Sequence, residues 1–157
     1  MHMTNADEKV TKLYTQKILE LASNIPLTTR LKQFEGSSKV RSPLCGSTVT
    51  VDLVVKDGLI SEFGQDVKAC ALGQATASIV GSRVIGRSYN EISMAREQME
   101  AMLKKKGDPP GSPFEELEIL YPAQDYKNRH ASILLVFDAT LNAMEQAMNQ
   151  KHNDAIN

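Results

Sequence analysis

The sequence predicts an α+β domain, in which a small antiparallel sheet of three strands is packed on one face by helices. Three observations lead to this prediction. A segment of alternating apolar and polar residues lies in the first half of the chain, a tight-turn signal follows it directly, and segments of helical periodicity fill the second half. Strands that come before most of the helices are typical of a layered α+β arrangement.

The strand prediction rests on residues 48–55, where valine and leucine alternate with threonine and aspartate. Asp57-Gly58 is a two-residue hairpin signal, because both positions of that turn need positive φ. Residues 59–63 are predicted to form the returning strand. A third strand is predicted near residues 35–40, since an isolated hairpin is only marginally stable in water.

Helices are predicted before and after these strands from apolar residues at helical spacing. They cover residues 7–23, 71–81, 89–106 and 114–120, with a last helix from about residue 130. The third of these has the strongest start signal, because Ser88 and Glu91 have capping-box spacing.

Length and composition are those of one ordinary globular domain. The chain has 157 residues, of which 41% are hydrophobic and 24% charged, so we expect a single domain over residues 1–157 with its core at about 7–150. A net charge of −1 gives no electrostatic footprint for nucleic acid. No apolar run approaches the ~20 residues of a membrane span, and no secretory signal is evident, so we expect a cytoplasmic protein without a membrane partner.

Three side chains at the edges of predicted elements are candidates for chemistry: Cys45, Cys70 and His130. Helix N-termini carry partial positive charge, which favours a thiolate at Cys70 and a neutral imidazole at His130. Both are the forms that bind metals. Two thiolates and an imidazole suit zinc or an iron–sulfur species. On the same reasoning, and with Lys68 nearby, Cys70 is predicted to be the more reactive thiol.

Spacing alone leaves two other interpretations open. The cysteines are not arranged as C-x-x-C, so both can be small buried hydrophobes, with His130 as a polar residue at a helix start. Cys70 with His130 as its base would form a thiol hydrolase pair, although no family-specific signature surrounds either cysteine.

Three segments, in order along the chain, resemble the NifU N-terminal (IscU/SufU-type) iron–sulfur scaffold family. They are a Cys-Gly turn, a second cysteine before an Ala/Ser-rich helix, and a histidine at the start of the last helix. In this sequence they are Pro43-Leu44-Cys45-Gly46, Cys70-Ala71-Leu72-Gly73-Gln74-Ala75-Thr76-Ala77-Ser78 and Arg129-His130-Ala131-Ser132-Ile133-Leu134.

The resemblance implies a NifU/IscU-like fold and a scaffold-like or accessory role in iron–sulfur cluster assembly, without enzymatic activity of its own. It implies that Cys45, Cys70 and His130 bind iron, an iron–sulfur cluster or, as an alternative occupant, zinc. It also implies a cysteine desulfurase as sulfur donor and apo iron–sulfur proteins as acceptors.

Two positions depart from the family pattern. Ser47 stands where the family has an aspartate, and Ala131 stands where it has a third cysteine. A vacant ligand position could be filled by water, an exogenous thiol or Asp66. The alternative function is therefore a degenerate homologue that binds zinc structurally or serves as a protein-interaction module without a cluster.

Overall fold

The structure, a computed structural model, describes residues 13–156. In chain order the elements are α1 (Gln16–Ser23), β1 (Gly36–Arg41), β2 (Thr48–Lys56), β3 (Leu59–Lys68), α2 (Ala71–Arg83), α3 (Tyr89–Lys105), a 3-10 helix (Glu115–Asp125) and α4 (Lys127–Ile156). This confirms the predicted α+β class. Among the described residues, no helix combines the length and apolarity that a membrane span requires.

The three strands form one antiparallel sheet in the order β1-β2-β3. The turn between β2 and β3 is the predicted one, with φ of 54° at Asp57 and 79° at Gly58. Strand β3 is longer than predicted and continues past Phe63 to Lys68. It does so because β2 offers hydrogen-bonding partners along this whole length, down to the pair of Thr48 with Lys68.

The two faces of β2 have different surroundings. The apolar face is buried against α4, which also packs on β1; its residues are Val49, Val51, Leu53 and Val55. On the opposite face the buried Asp52 carboxylate accepts hydrogen bonds from Arg30 and Ser37. The segment between α1 and β1 therefore closes the face that the helix leaves open.

Helix α2 differs from its predicted one-sided pattern, because nearly every residue from Leu72 to Gly81 is buried. Helices α1 and α4 both pack against it. Its small residues allow this close approach: a Cβ added at Gly73 would lie 2.7 Å from Ser132 Oγ on α4. A helix enclosed on several sides does not show the apolar stripe of a surface helix.

Several predicted helix boundaries need correction. Within the predicted helix over residues 7–23, Leu13 is helical, but the helix is interrupted at Tyr14 and Thr15. Helix α1 begins at Gln16, where the extended residue Thr15 caps it by accepting a hydrogen bond from Ile18 N at 3.2 Å. Residues 7–12 of the predicted helix lie outside the described residues. The predicted short helix is a 3-10 helix, and α4 begins before His130 at Lys127. The capping box of Ser88 and Glu91 is confirmed.

Candidate functional site

Cys45 lies on the loop that joins β1 to β2. Two backbone hydrogen bonds tighten this loop: Ser42 N donates to Ser47 O at 2.8 Å, and Gly46 N donates to Ser42 O at 2.9 Å. Gly46 has a φ of 71°, a conformation that glycine adopts without steric cost. The Cys45 side chain is therefore held at an exposed loop tip at one end of the sheet.

Two buried hydroxyls contact the Cys45 thiol. Its Sγ lies 3.3 Å from Ser42 Oγ and 3.2 Å from Ser47 Oγ. The hydrogen bonds of Ser42 and Ser47 favour the thiolate more than burial opposes it, and they lower the pKa of Cys45 to about 7. A large fraction of this thiol is thus in the nucleophilic, metal-binding form near neutral pH.

Cys70 is half-buried and forms the N-cap of α2. Its thiol makes no capping hydrogen bond to the helix; instead Sγ lies 3.4 Å from Ser132 Oγ. The prediction that Cys70 reacts first holds only if the loop before Cys70 is exposed. The geometry favours the opposite order, because Cys45 is exposed and has the hydroxyl contacts that favour a thiolate.

Ser47 and Ser132 connect the two cysteines. Ser132 Oγ donates to Ser47 Oγ at 3.1 Å, so an unbroken series of contacts runs from Cys45 Sγ through these two hydroxyls to Cys70 Sγ. We call these four side chains the thiol–hydroxyl chain. The structure therefore brings two of the predicted ligands together, although they come from distant parts of the sequence.

Sequence reasoning did not assign a role to Ser42 or Ser132. The only local signal was their position, since Ser42 comes three residues before Cys45 and Ser132 comes two residues after His130. Their contacts depend on the closed loop and on the close packing of α2 against α4, which no local pattern in the sequence reports.

His130 is buried in the first turns of α4, with 4% of its surface exposed. Its Nε2 lies 2.8 Å from Ala123 O. A carbonyl oxygen only accepts, so Nε2 carries the proton and Nδ1 of a neutral ring has the free lone pair. Residues two apart on a helix are separated by about 200° around its axis, so His130 and Ser132 leave α4 on different sides. The ligand role of His130 therefore stays a prediction.

Within residues 13–156, no group of three or more His, Cys, Asp and Glu side chains is arranged to hold a metal ion. Asp66, which was considered as an additional ligand, lies opposite Thr50 in the sheet, and its charge interacts with that of Arg30. The described site thus consists of two thiols and the hydroxyls that connect them.

The chain is thus an α+β protein with two cysteines at one end of a small antiparallel sheet, and proteins of known structure share this fold. A solved structure of a nitrogen-fixing NifU-like protein (N-terminal) from Brucella abortus is 41% identical to this chain, covers 90% of it and 98% of its own length, and superposes with a TM-score of 0.87. The chain belongs to the NifU N-terminal (IscU-type) family.

More distant relatives agree with this assignment. The iron–sulfur cluster assembly scaffold protein IscU of Thermotoga maritima is 22% identical over 134 residues, which are 85% of this chain and 94% of that protein. A structure described as a scaffold for the SUF system, from Fervidobacterium islandicum, shares the fold with a TM-score of 0.77 at 16% identity, over 85% of this chain and 98% of that one. No protein-family model matches the chain.

Proposed function

We propose that this protein is an iron–sulfur cluster assembly scaffold or accessory protein, without enzymatic activity, that holds iron or a nascent cluster at Cys45 and Cys70. Family membership supports the general role, and relatives from Thermotoga maritima and Streptococcus pyogenes are named as scaffold proteins of this kind. The observation that carries the proposal is the thiol–hydroxyl chain, which gathers two thiols at one end of the sheet.

The chemistry of these thiols suits a cargo of iron and sulfide. Thiolates are the soft ligands that bind iron–sulfur clusters. With a pKa of about 7, Cys45 loses its proton at little cost near neutral pH. The hydroxyls of Ser47 and Ser132 lie beside the sulfurs, where they can donate hydrogen bonds to thiolate or cluster sulfur.

Two thiols supply half of the four protein ligands that a cluster usually takes. We propose that His130 adds its Nδ1 after a local movement, with Nε2–H still held by Ala123 O. Such an arrangement resembles metal-bound histidines whose second nitrogen donates to a carbonyl. The remaining ligand positions of the cluster are left to residues of the partner proteins. This arrangement suits a protein that passes its cluster on.

The proposed partners are a cysteine desulfurase, which supplies sulfur, and apo iron–sulfur proteins, which accept the cluster. The Cys45 loop supports such contacts because it is exposed and apolar at its tip. Leu44, directly before Cys45, has 77% of its surface exposed. An exposed leucine beside a reactive thiol gives a partner an apolar contact at the site of transfer.

Anaerobic reconstitution with ferrous iron and sulfide tests this function. The wild-type protein is expected to develop the charge-transfer absorbance of an iron–sulfur species, and Cys45→Ala and Cys70→Ala are each expected to lose most of it. His130→Ala should reduce it less, and Ser23→Ala, at an exposed helix end, should leave it unchanged. Full absorbance in both cysteine variants would refute the assignment of the site.

A second candidate, a zinc-binding or interaction module, is favoured by Ser47 and Ala131, which stand at two family ligand positions. If ligand loss weakens the site, the double variant Ser47→Asp with Ala131→Cys should bind iron at least about tenfold more tightly. Ser47→Asp with Ala131→Ser is the matched control, since it adds a polar atom without a thiol. Unchanged iron affinity of the double variant would show that the ligand-loss argument is wrong. Zinc alone, retained by the wild-type protein after anaerobic purification, would favour the second candidate.

A further inference from the structure

A cavity of about 490 Å³ lies beside the start of α4, where this helix meets the ends of α3 and of the 3-10 helix. Its floor is formed by Leu103 and His130, which have 2% and 4% of their surfaces exposed. Three lysines form its mouth: Lys104, Lys106 and Lys127. The cavity is within the size range of small-molecule sites.

Side-chain hydrogen bonds fix the walls of this cavity. Gln124, at the end of the 3-10 helix, donates from Nε2 to Met102 O on α3 at 2.7 Å. On the other side, His130 Nε2 lies 2.8 Å from Ala123 O, which ties α4 to the same 3-10 helix. Because the three elements are already joined, a ligand would not have to order them, and less free energy is lost on binding.

The charges around the cavity favour an anion. Three lysines and one carboxylate, that of Asp125, are among the residues that line it. The ion pair of Lys104 with Glu100 is long, at 3.9 Å, and the lysine side chain is 51% exposed, so this pair holds Lys104 only weakly. The first turn of α4 contains no acidic residue, so the positive end of its dipole adds to the lysine charges and opposes the negative end of the α3 dipole at the same cavity.

We propose that this cavity binds a small, multiply charged oxyanion, either a phosphate group or a polycarboxylate. The ammonium groups are compact point charges on flexible stems, so they can converge on either kind of anion without a fixed planar geometry. The apolar floor at Leu103 accommodates a short carbon skeleton. None of the four side chains of the thiol–hydroxyl chain lines this cavity, which shares only His130 with the proposed cluster site.

Titration of the metal-free protein with inorganic phosphate and with citrate, followed by amide chemical shifts, tests this proposal. At constant ionic strength set with sodium chloride, at least one of the two anions is expected to bind saturably and to shift the amides of Leu103 and His130. Phosphate binding without citrate binding would identify a phosphate site, and the reverse would identify a carboxylate site.

The double variant Lys106→Ala with Lys127→Ala should weaken the observed binding by about tenfold or more, since two charge contacts are lost. Lys56→Ala, at the exposed end of β2, is the matched control and should leave the affinity unchanged. The proposal is overturned if neither anion saturates, or if the control weakens binding as much as the double variant. Because no iron is present, this outcome is independent of cluster assembly.

Discussion

At the scale of single residues, the two cysteines differ because their neighbours differ. Cys45 is exposed and contacts the hydroxyls of Ser42 and Ser47, whereas Cys70 is half-buried and contacts the hydroxyl of Ser132. The position of Cys70 at a helix start was expected to make it the more reactive thiol, but this thiol is half-buried and makes no capping hydrogen bond to the helix. The hydroxyl contacts make Cys45 the better candidate for accepting sulfur.

Competitive alkylation of the metal-free protein at pH 7 should therefore modify Cys45 faster than Cys70. The rate at Cys45 should rise with pH through its pKa of about 7 and level off above it, since only the thiolate reacts. Peptide mapping after brief labelling across pH 5–10 measures both sites.

Ser47→Ala removes one hydroxyl that stabilises the thiolate, so the rate profile of Cys45 should move to higher pH. Ser23→Ala, distant from the loop, serves as control. Faster labelling of Cys70 at neutral pH would show that hydroxyl contacts and exposure do not govern the order.

At the scale of elements, the close packing of α4 against the sheet depends on a glycine, Gly36. A Cβ added at Gly36, the first residue of β1, would overlap the backbone carbonyl of Ala143 on α4. Neither backbone can move away easily, because β1 is paired with β2 and α4 is buried on the sheet. Gly36 thus allows the close contact that holds the long helix over the strands.

Gly36→Ala is expected to lower the free energy of unfolding by about 1–3 kcal/mol, the usual cost of overpacking. Urea unfolding followed by circular dichroism measures this change. Gly111→Ala is the matched control: an added Cβ there meets nothing within 4 Å, and the change should stay within about 0.5 kcal/mol. An equal effect of both substitutions would contradict the role of the contact.

At the scale of the whole molecule, Asp52 joins the segment after α1 to the sheet. Its carboxylate is fully buried and accepts from Arg30 Nε at 2.6 Å, Ser37 Oγ at 2.7 Å and Leu31 N at 3.2 Å. Burial opposes the charge, but the hydrogen bonds from Arg30, Ser37 and Leu31 outweigh it and hold the pKa of Asp52 below its usual value. The fold therefore depends on Asp52 being ionised.

This lowered pKa predicts the direction of acid destabilisation. The contribution of Asp52 is fully present above the pKa of an unfolded aspartate, ~3.9, and is lost as the pH falls through the lower folded value. Asp52→Asn should lower the free energy of unfolding at pH 7 and reduce the further loss below pH ~4.

Denaturant unfolding at several pH values measures this dependence. Asp57→Asn, on the exposed hairpin turn, is the matched control and should keep the wild-type profile. An Asp52→Asn protein with the wild-type acid dependence would show that other carboxylates control it.

The sequence by itself determined the elements and the class of fold, because their signals are local. The alternating valines predicted β2, Asp57-Gly58 predicted the turn, and Ser88 with Glu91 predicted the start of α3, each within a few neighbouring residues. Family motifs also placed the two cysteines on loops at the edges of these elements.

Only the tertiary structure decided how the site is assembled. The Ser132–Ser47 hydrogen bond joins residues 85 positions apart, and the Cys70–Ser132 contact joins residues 62 apart. Both exist because Gly73 lets α2 approach α4, and such long-range packing leaves no periodic signal in a single sequence. For the same reason the hydrogen bond of His130 to Ala123 and the lysine-lined cavity appear only once α3, the 3-10 helix and α4 are packed together.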